Sequence, residues 1–576
     1  MTKKLFLSFI CIAIVSLLSG SIIYAQNFES GSREVDRPIR ARAEKELQKT
    51  PEKAPIIKEE KTPVKEEGPA YFIKKVVLSG CETFPAEDFS GIVKDYENRE
   101  LKFTELEEMG QRIEREYLKK GVIAACVIPP QEIKDGVVTI YVIEAKMGEL
   151  EIQRHKYFNN KLLKRYWRTK TGSTLIYYQI SRSLQQMNRN PDREVKAALR
   201  AGKKQGTTDV VLNVTTHFPV HPTFSFSREG AMTTGRESIG FGARHNNFLN
   251  LDDTLLTGYS YTKHSNNVYA YHLLPVNGSG TNLIYGFSRS EAFPKKDFER
   301  YDLRSYAKGM SFFLHQDIYE KDDYKADLYF GIDGRDKEVY TNTGLINKDR
   351  LRVLRIGTKA VLKGGRTTIN ITPEFSQGLN LFGARRKSDL SSRDAENTFS
   401  KFNLNFQCKH YLTSYIQFSV KSDFQLASEK LAPQEEFSFG GINSVRGYAY
   451  GDYYGDNAIQ VNVELLVQPV FLPDSIKLPF SKTPLKENIT GFISFDYGYG
   501  TKRGNIQGEK SKDTLASVGT GVRINLYDQI MLRLEGGFPI SLGDKGITEG
   551  ARPRLHVTVE FEDKLLDNVA NMMAKK

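Results

Sequence analysis

The sequence predicts a membrane β-barrel of 16 antiparallel strands, preceded by two small α/β domains. Residues 219–561 alternate apolar and polar side chains in sixteen short stretches, which is the pattern of barrel strands. The 576 residues include 46 Gly, 29 Tyr and 34 Phe, yet the mean hydropathy is only −0.44. Barrel strands are apolar on one face only, so this combination is expected of a large barrel. The amino terminus also has an export signal.

Residues 1–25 have the pattern of a secretory signal peptide. Lys3 and Lys4 precede an apolar run at 5–18, and small residues around Ala25 provide a cleavage site after it. No later stretch approaches ~18 uninterrupted apolar residues, which excludes helical membrane spans. An exported chain without a helical span can still reside in a membrane as a barrel.

Residues 26–70 are rich in Lys, Glu and Pro and have almost no aromatic side chains. Residues 38–49 predict one short helix, because Pro38 suits a first helical turn and Pro51 follows just beyond the end. The following stretch has too few apolar residues to bury a core, so it predicts a linker.

Two α/β modules are predicted next, at 71–146 and 147–218. The order of elements in the first is β-α-α-β-β. Strands are predicted at 71–78, 123–128 and 137–143, and helices at 85–96 and 103–117. In the second, strands are predicted at 150–152 and 209–215, and helices at 162–167 and 176–187.

The barrel is predicted from the period of two between 219 and 561, with turns rich in Asp, Asn, Gly and Lys. The strands are predicted to begin near residues 222, 237, 254, 267, 280, 303, 324, 351, 366, 400, 413, 456, 489, 513, 529 and 552. A soluble β-sandwich or propeller is the alternative, and the signal peptide and the preceding modules argue against it. The tail, 562–576, predicts a helix or a disordered segment.

The segment 437–448, Phe-Ser-Phe-Gly-Gly-Ile-Asn-Ser-Val-Arg-Gly-Tyr, places one cation among apolar residues. An arginine is always charged, so beside an apolar wall it needs solvent or a carboxylate. The segment resembles the signature of the POTRA-plus-barrel superfamily of outer-membrane proteins, in which a loop folds back into the barrel. The resemblance implies that the α/β modules are POTRA domains. The residues that carry the loop motif are Val445, Arg446, Gly447 and Tyr448.

In that superfamily the loop arginine bonds an aspartate on the inner barrel wall, within an aromatic-x-Asp-x-Gly-like motif. Phe495, Asp496 and Gly498 match this motif on a predicted strand. Alternation places Phe495 and Tyr497 outside, so Asp496 is expected to point into the lumen. A charge-assisted Arg446–Asp496 pair, which could be bidentate, would hold the loop in the channel. The alternative is two unrelated solvated charges.

The passage 187–199 narrows the resemblance to one branch of the superfamily. It is similar to the second POTRA domain of two-partner secretion transporters of the haemolysin-activator and filamentous-haemagglutinin type. One departure is Ala201, which precedes Gly202 where that family often has Pro. The matched positions include Asn188, Asn190, Pro191, Val195 and Leu199.

The POTRA resemblance also implies a surface for a client protein. A POTRA sheet edge and its adjacent helix can add an extended client strand by β-augmentation. The candidates in the first module are Tyr117, Ile123, Ala124 and Val127. The alternative is that these residues pack the module's own core. The helix at 38–49 resembles the plug helix that several family members place inside the barrel.

The resemblance implies an outer-membrane pore with its POTRA domains in the periplasm. It would capture an unfolded exoprotein, β-helical once folded, and move it to the cell surface without nucleotide hydrolysis. Implied further partners are outer-membrane lipids, including lipopolysaccharide, and the barrel-assembly machinery during biogenesis. One alternative is an assembly and insertion factor of the same superfamily, although such factors usually have more POTRA domains. A plain porin is the other.

Motifs for catalysis, cofactors and metals are missing from the sequence, so we predict no enzyme and no cofactor. There is no His-Glu-x-x-His, no phosphate-binding Gly-Lys-Ser/Thr loop and no Gly-x-Ser-x-Gly, and the nine His are scattered. The net charge of +12 is spread along the chain, which suits anionic lipid or an acidic client and indicates no nucleic-acid site. For Cys81 and Cys126 we favour ordinary packing as small residues, and a disulfide between them in an oxidising periplasm is the alternative.

Overall fold

The computed structural model describes residues 57–59, 70–153, 156–204, 206–321, 323–478, 483–504, 510–527, 529–540 and 552–562. These residues belong to two compact units. One contains 220–245 and the described residues from 254 onward, and the other contains the described residues up to 219 together with 246–253. No helix in the described ranges is long and apolar enough to span a bilayer. The predicted signal peptide, the predicted helix at 38–49 and residues 563–576 lie outside them.

The first α/β module, POTRA 1, contains a three-stranded sheet in the order β3-β6-β5 and a separate pair, β2-β4. Helix Phe103–Lys119 covers one face of the sheet, because Leu106, Met109 and Ile113 recur at helical spacing and are buried. A short 3-10 helix, Ala86–Phe89, continues into helix Ser90–Lys94 in the stretch where one helix was predicted. The strands are β2 (Tyr71–Ile73), β3 (Lys75–Ser79), β4 (Arg99–Leu101), β5 (Ala124–Val127) and β6 (Val137–Glu144).

The second module, POTRA 2, is a four-stranded sheet in the order β1-β8-β9-β7. Its helices are Asn160–Tyr166 and Tyr177–Met187, and its strands are β1 (Ile57–Glu59), β7 (Lys146–Gln153), β8 (Arg193–Ala201) and β9 (Thr207–Thr216). The sequence analysis did not predict β1 or β8. Strand β1 lies in the predicted linker and pairs in parallel with Ala197, Ala198 and Leu199 of β8. The chain itself therefore covers this edge of the sheet.

Sixteen of the described strands form a closed antiparallel barrel, which confirms the predicted fold class. Strand β27 pairs with β10, with Phe561 opposite Phe224, and this pairing closes the barrel. The largest difference from the predicted starts is at β17, which begins at Gly344 and not near residue 351. The barrel strands are β10 (Val220–Arg228), β11 (Glu237–His245), β12 (Thr254–Thr262), β13 (Ser265–Pro275), β14 (Thr281–Ala292), β15 (Arg304–Lys321), β16 (Tyr324–Thr341), β17 (Gly344–Gly364), β18 (Thr367–Gly378), β19 (Ser400–Tyr411), β20 (Ile416–Ala427), β23 (Asn457–Val467), β24 (Ile489–Thr501), β25 (Lys512–Leu526), β26 (Ile530–Pro539) and β27 (Arg554–Glu562).

Side chains alternate between the lumen and the outer surface along the barrel strands. On β24, Ser494 and Asp496 are buried, whereas Ile493 and Phe495 are exposed. Phe495 therefore lies on the outer face, as the alternation predicted. The connection between β20 and β23 contains two further short strands, β21 (Phe437–Phe439) and β22 (Tyr453–Gly455), which pair with each other.

Candidate functional site

Residues 428–456, hereafter the inward loop, connect β20 to β23 and pack against lumenal side chains of the barrel. Val445 and Tyr448 are both buried, so the apolar residues of the predicted motif anchor the loop by packing. The cluster that they join also contains Phe439, Tyr453, Ala458 and Leu515. Arg446 lies between these two residues and faces the charged part of the wall.

The guanidinium group of Arg446 lies among three carboxylates from three different strands. Its Nη2 donates to Glu464, its Nε lies 3.4 Å from Glu535 Oε2, and its Nη1 lies 3.6 Å from Asp496 Oδ1. The guanidinium carbon also lies 5.1 Å from the centre of the Phe492 ring. A planar fork with five donors can serve several acceptors at once, which explains an arginine here.

The structure brings Arg446 and Asp496 together, but not as a bidentate pair. The 3.6 Å separation of their side chains is an ion-pair contact and is too long for a hydrogen bond. The backbone N–H of Arg446 donates to Asp496 Oδ2 at 3.2 Å. Asp496 also accepts from Asn462 Nδ2 at 2.9 Å and from Ser517 Oγ at 3.2 Å. Asp496 therefore holds the loop backbone as well as the guanidinium.

The sequence analysis missed the remaining members of this charge cluster. Arg523 donates to Glu464 at 2.7 and 3.0 Å and to Glu535 at 2.9 Å. Arg533 donates to Glu535 at 2.8 Å. Each of these residues is a charged residue at an inward position of an alternating strand, and that signal could have placed it in the lumen.

Glycines let the loop backbone approach the wall closely. A Cβ at Gly447 would lie 2.6 Å from Pro539 N, and one at Gly537 would lie 2.3 Å from the carbonyl carbon of Arg446. At Gly498, in the predicted wall motif, it would lie 2.7 Å from an aromatic carbon of the inward loop. The missing side chain is therefore what the packing requires at these three positions.

We expect Gly537→Ala to displace the inward loop while the barrel still assembles. The new methyl group would collide with the backbone of Arg446, which has no flexible end to move aside. The expected result is a higher open probability of the purified channel in planar bilayers. Gly364→Ala on β17 is the matched control, because a Cβ there meets no atom within 4 Å. Equal open probabilities for the two variants would contradict this expectation.

The structure corrects two of the four predicted client contacts in POTRA 1. Tyr117 is fully buried and stacks on Phe89 with ring centroids 4.7 Å apart. Ile123 is also buried, and it packs into the core of POTRA 2. Tyr117 packs the core of its own module, as the alternative interpretation stated, because the apolar stripe of its helix faces the sheet. Ile123 differs from that interpretation, because the core that it joins is that of the other module. Ala124 is half-buried, and Val127 is exposed.

The exposed face of the POTRA 1 sheet carries apolar residues that the sequence analysis did not select. Val127 pairs with Tyr141, and the neighbouring Ile143 and Val77 are exposed as well. The alternation at 137–143 predicts that Tyr141 and Ile143 lie on the same face of the sheet. It does not predict which face the helix covers, so these residues could not be selected from the sequence. The edge of β5 is partly occupied, since the Cys126 N–H donates to Glu114 Oε1 of the helix at 2.7 Å.

Cys81 and Cys126 are free thiols that pack against the POTRA 1 core. Burial and, after it, the Glu114 carboxylate raise the pKa of the Cys126 thiol to about 12. The thiolate is the reactive form, so Cys126 is expected to be inert. This arrangement matches the predicted packing.

Within the POTRA 2 motif, Asn188 clamps the start of β8. Its Nδ2 donates to the Val195 carbonyl at 3.0 Å, and the Val195 N–H donates to its Oδ1 at 2.6 Å. Val195 lies in the POTRA 2 core, and Leu199 packs against that core. Pro191 is exposed. The roles of Asn188, Val195 and Leu199 are structural.

Asn190 belongs to a buried polar network with segment 246–253, which joins β11 to β12 in the chain. Its Nδ2 donates to Asp252 Oδ1 at 2.7 Å and to the Asn246 carbonyl at 2.5 Å. Arg193, which the sequence analysis missed, donates to both oxygens of Asp252 at 3.2 and 2.8 Å. Burial and, after it, Asp252 raise the pKa of Tyr166, whose hydroxyl donates to Asp252 Oδ2 at 2.8 Å.

Two known protein-family models match this sequence. Residues 206–524 match the haemolysin secretion/activation protein family ShlB/FhaC/HecB. Residues 71–145 match the POTRA domain of ShlB type. The first match covers more than half of the chain.

Individual relatives agree with the family match. The heme/hemopexin transporter protein HuxB of Haemophilus influenzae strain 86-028NP is 21% identical over 76% of this chain and 77% of its own. The outer membrane transporter CdiB of Escherichia coli O6:K15:H31 is 22% identical over 79% of each chain. Among solved structures, CdiB from Escherichia coli has a TM-score of 0.65 at 20% identity, covering 91% of this chain and 96% of its own. BamA from Haemophilus ducreyi, lacking POTRA domains 1–3, has a TM-score of 0.55 at 14% identity, covering 86% of this chain and 100% of its own.

This chain belongs to the haemolysin secretion/activation protein family ShlB/FhaC/HecB, the two-partner secretion transporters of the outer membrane, whose POTRA domains are periplasmic and which act with a secreted exoprotein.

Proposed function

We propose that this chain captures an unfolded exoprotein through POTRA 1 and moves it through the barrel to the cell surface without nucleotide hydrolysis. The observation that carries the proposal is the inward loop, which is held in the lumen by side-chain ion pairs. Such contacts can exchange without breaking the backbone hydrogen bonds that close the barrel. Arg446 and Asp496 would then set the resting position of the loop. Folding of the client into a β-helix outside would give the movement its direction.

POTRA 1 offers a surface for capture because an edge strand lies beside an exposed apolar face. In POTRA 2 the β8 edge is already covered by β1, and β7 is the opposite edge strand. In POTRA 1 the edge strand β5 pairs with β6, and the exposed sheet face beside it carries Val127, Tyr141 and Ile143. An extended client could pair with an edge strand through its backbone and bury alternate side chains on this apolar face.

The lipid and assembly partners follow from the barrel. Its outer face exposes large apolar side chains such as Met310, Phe312 and Leu314 of β15, which suit a lipid environment. The net charge of +12 would favour the anionic headgroups of lipopolysaccharide. The first and last barrel strands must meet to close the barrel, and we assign this step to the barrel-assembly machinery.

Deletion of the encoding gene tests the proposal. We expect one large exoprotein to disappear from the cell surface and the medium, with the other outer-membrane proteins at wild-type levels. A general decrease in outer-membrane proteins would instead support an assembly and insertion factor. Loss of solute uptake with normal exoprotein secretion would support a porin. Restoration by the plasmid-borne gene is the control.

We expect Ile143→Asp to reduce exoprotein secretion severalfold without reducing the amount of barrel in the outer membrane. A charge on the exposed apolar face would have to be desolvated when the client docks. Secretion is measured by immunoblot of the exoprotein in the medium. Tyr178→Asp is the matched control, because Tyr178 is also a large exposed side chain, and it lies on POTRA 2. Equal secretion by the two variants would exclude this face of POTRA 1 as the capture surface.

A further inference from the structure

The inward loop makes a second buried charged contact, with its residue Glu435. The carboxylate is fully buried and lies among three cations of the barrel wall. Arg355 Nη2 donates to Glu435 Oε1 at 2.7 Å, and Lys401 Nζ donates to Oε2 at 2.5 Å. Arg335 Nη1 lies 3.4 Å from Oε1 and donates to the Gln434 carbonyl at 2.9 Å. A carboxylate removed from water in this way requires such partners.

The wall holds these cations in place with its own acceptors. Arg355 Nε donates to Asp333 Oδ2 at 2.6 Å, and its Nη1 donates to Ser376 Oγ at 2.8 Å and lies 3.4 Å from Glu374 Oε1. Arg355 and Asp333 are almost completely buried. The cations that contact Glu435 are therefore held in fixed positions by other residues of the barrel wall.

The Glu435 and Arg446 contacts have opposite polarity, and a further buried acid of the loop, Glu436, pairs with Arg393 at 2.8 Å. Around Glu435, the wall contributes three cations, Arg335, Arg355 and Lys401, against two carboxylates, Asp333 and Glu374. Around Arg446, the wall contributes three carboxylates, Glu464, Asp496 and Glu535, against two cations, Arg523 and Arg533. Within each set of named side chains, the loop residue supplies the one charge that the wall residues lack.

The two contacts also lie on different sectors of the barrel. The partners of Glu435 belong to β16, β17 and β19, which precede β20, whereas the partners of Arg446 belong to β23, β24 and β26, which follow the loop. The loop leaves β20 and returns at β23, between the two sectors. Each contact therefore holds a different part of the loop against the wall.

We propose that Glu435 is a positioning residue that anchors the inward loop to the β16–β19 sector, opposite in charge to the Arg446 anchor, so that the loop bars the lumen only while both anchors are paired. This inference rests on the proposed transport function. A client in transit must then release one acidic and one basic contact. The two wall surfaces that the loop uncovers differ in the sign of their charge.

Channel recordings on the purified full-length protein in planar bilayers test this inference without a client. We expect Glu435→Gln to raise the open probability at least about tenfold, because the neutral amide has one acceptor oxygen for Arg355 and Lys401 and turns its NH2 group toward a cation. The matched control is Glu429→Gln, which removes the same charge from an exposed position of the same loop. Heat-modifiable electrophoretic mobility confirms that each barrel is folded.

A double variant separates anchoring from charge imbalance in the wall. Glu435→Gln with Lys401→Gln leaves Arg335 and Arg355 opposite Asp333 and Glu374, so that these named side chains have no net charge. Heat-modifiable mobility again confirms that the barrel is folded. We expect the same increase in open probability, since the anchor is still missing. Wild-type gating of the double variant, or gating of Glu435→Gln equal to that of Glu429→Gln, would overturn the inference. Either result would leave the gene-deletion test of the transport function unaffected.

Discussion

Exoprotein secretion is expected to fall at least about tenfold when Arg446 is replaced by Ala, while the folded barrel reaches the outer membrane at its wild-type level. The substitution leaves Glu464, Asp496 and Glu535 with one cation fewer. Removing one partner of a buried ion pair costs about 3–5 kcal/mol. Here this cost destabilises the resting position of the loop. The barrel ladder does not involve this side chain, so assembly is spared. Immunoblots of medium and outer-membrane fractions measure the two quantities.

Two further variants define this test. Arg446→Lys keeps the positive charge but lacks the planar fork, so we expect intermediate secretion. Arg289→Ala on β14 removes an exposed arginine whose pair with Glu291 lies at the surface, and such pairs contribute little. Secretion by Arg446→Ala equal to that of Arg289→Ala would refute the role of the loop arginine.

The barrel could be predicted from the sequence because its signal is local. Alternation along one strand identifies that strand without knowledge of its neighbours, and fifteen of the sixteen barrel strands begin at or near the predicted positions. The exception, the start of β17, lies in the stretch Gly344-Leu-Ile-Asn-Lys-Asp-Arg350, where polar residues follow one another and the alternation disappears. Strand β1 escaped prediction for a related reason: three residues in a polar linker carry no periodic signal, and their pairing with β8 is long-range.

The candidate site was only partly predictable. Its two motifs identified Arg446 and Asp496, which the structure brings together. The structure shows that Arg446 Nη2 contacts Glu464. This contact depends on the strand register and on the path of the loop, and neither can be predicted from the residues near Arg446 in the sequence. In POTRA 1, the helical spacing of Tyr117 is consistent with a face packed against the core and equally with a groove for the client. Because Tyr117 is fully buried, it belongs to the packed face.

Replacement of Arg193 by Met is expected to destabilise the POTRA 2 unit by about 3–5 kcal/mol, because the substitution leaves the buried Asp252 carboxylate without its bidentate partner. Hydrogen exchange of the full-length protein measures this as a lower free energy of opening for β8 and for segment 246–253. The matched control is Lys196→Met on the same strand, since the pair of Lys196 with Glu194 is exposed and contributes at most about 1 kcal/mol.

A second substitution tests the cause of that loss. Asp252 has a φ of +66°, a left-handed conformation that Asn tolerates well, so Asp252→Asn removes the charge without backbone strain. In the Arg193→Met background it should recover part of the lost stability, because the buried group is then neutral and still accepts from Asn190 Nδ2. If the double variant were no more stable than Arg193→Met alone, the loss would come from packing of the arginine against Phe158, whose ring centre lies 4.8 Å from the guanidinium carbon, and not from the unpaired charge.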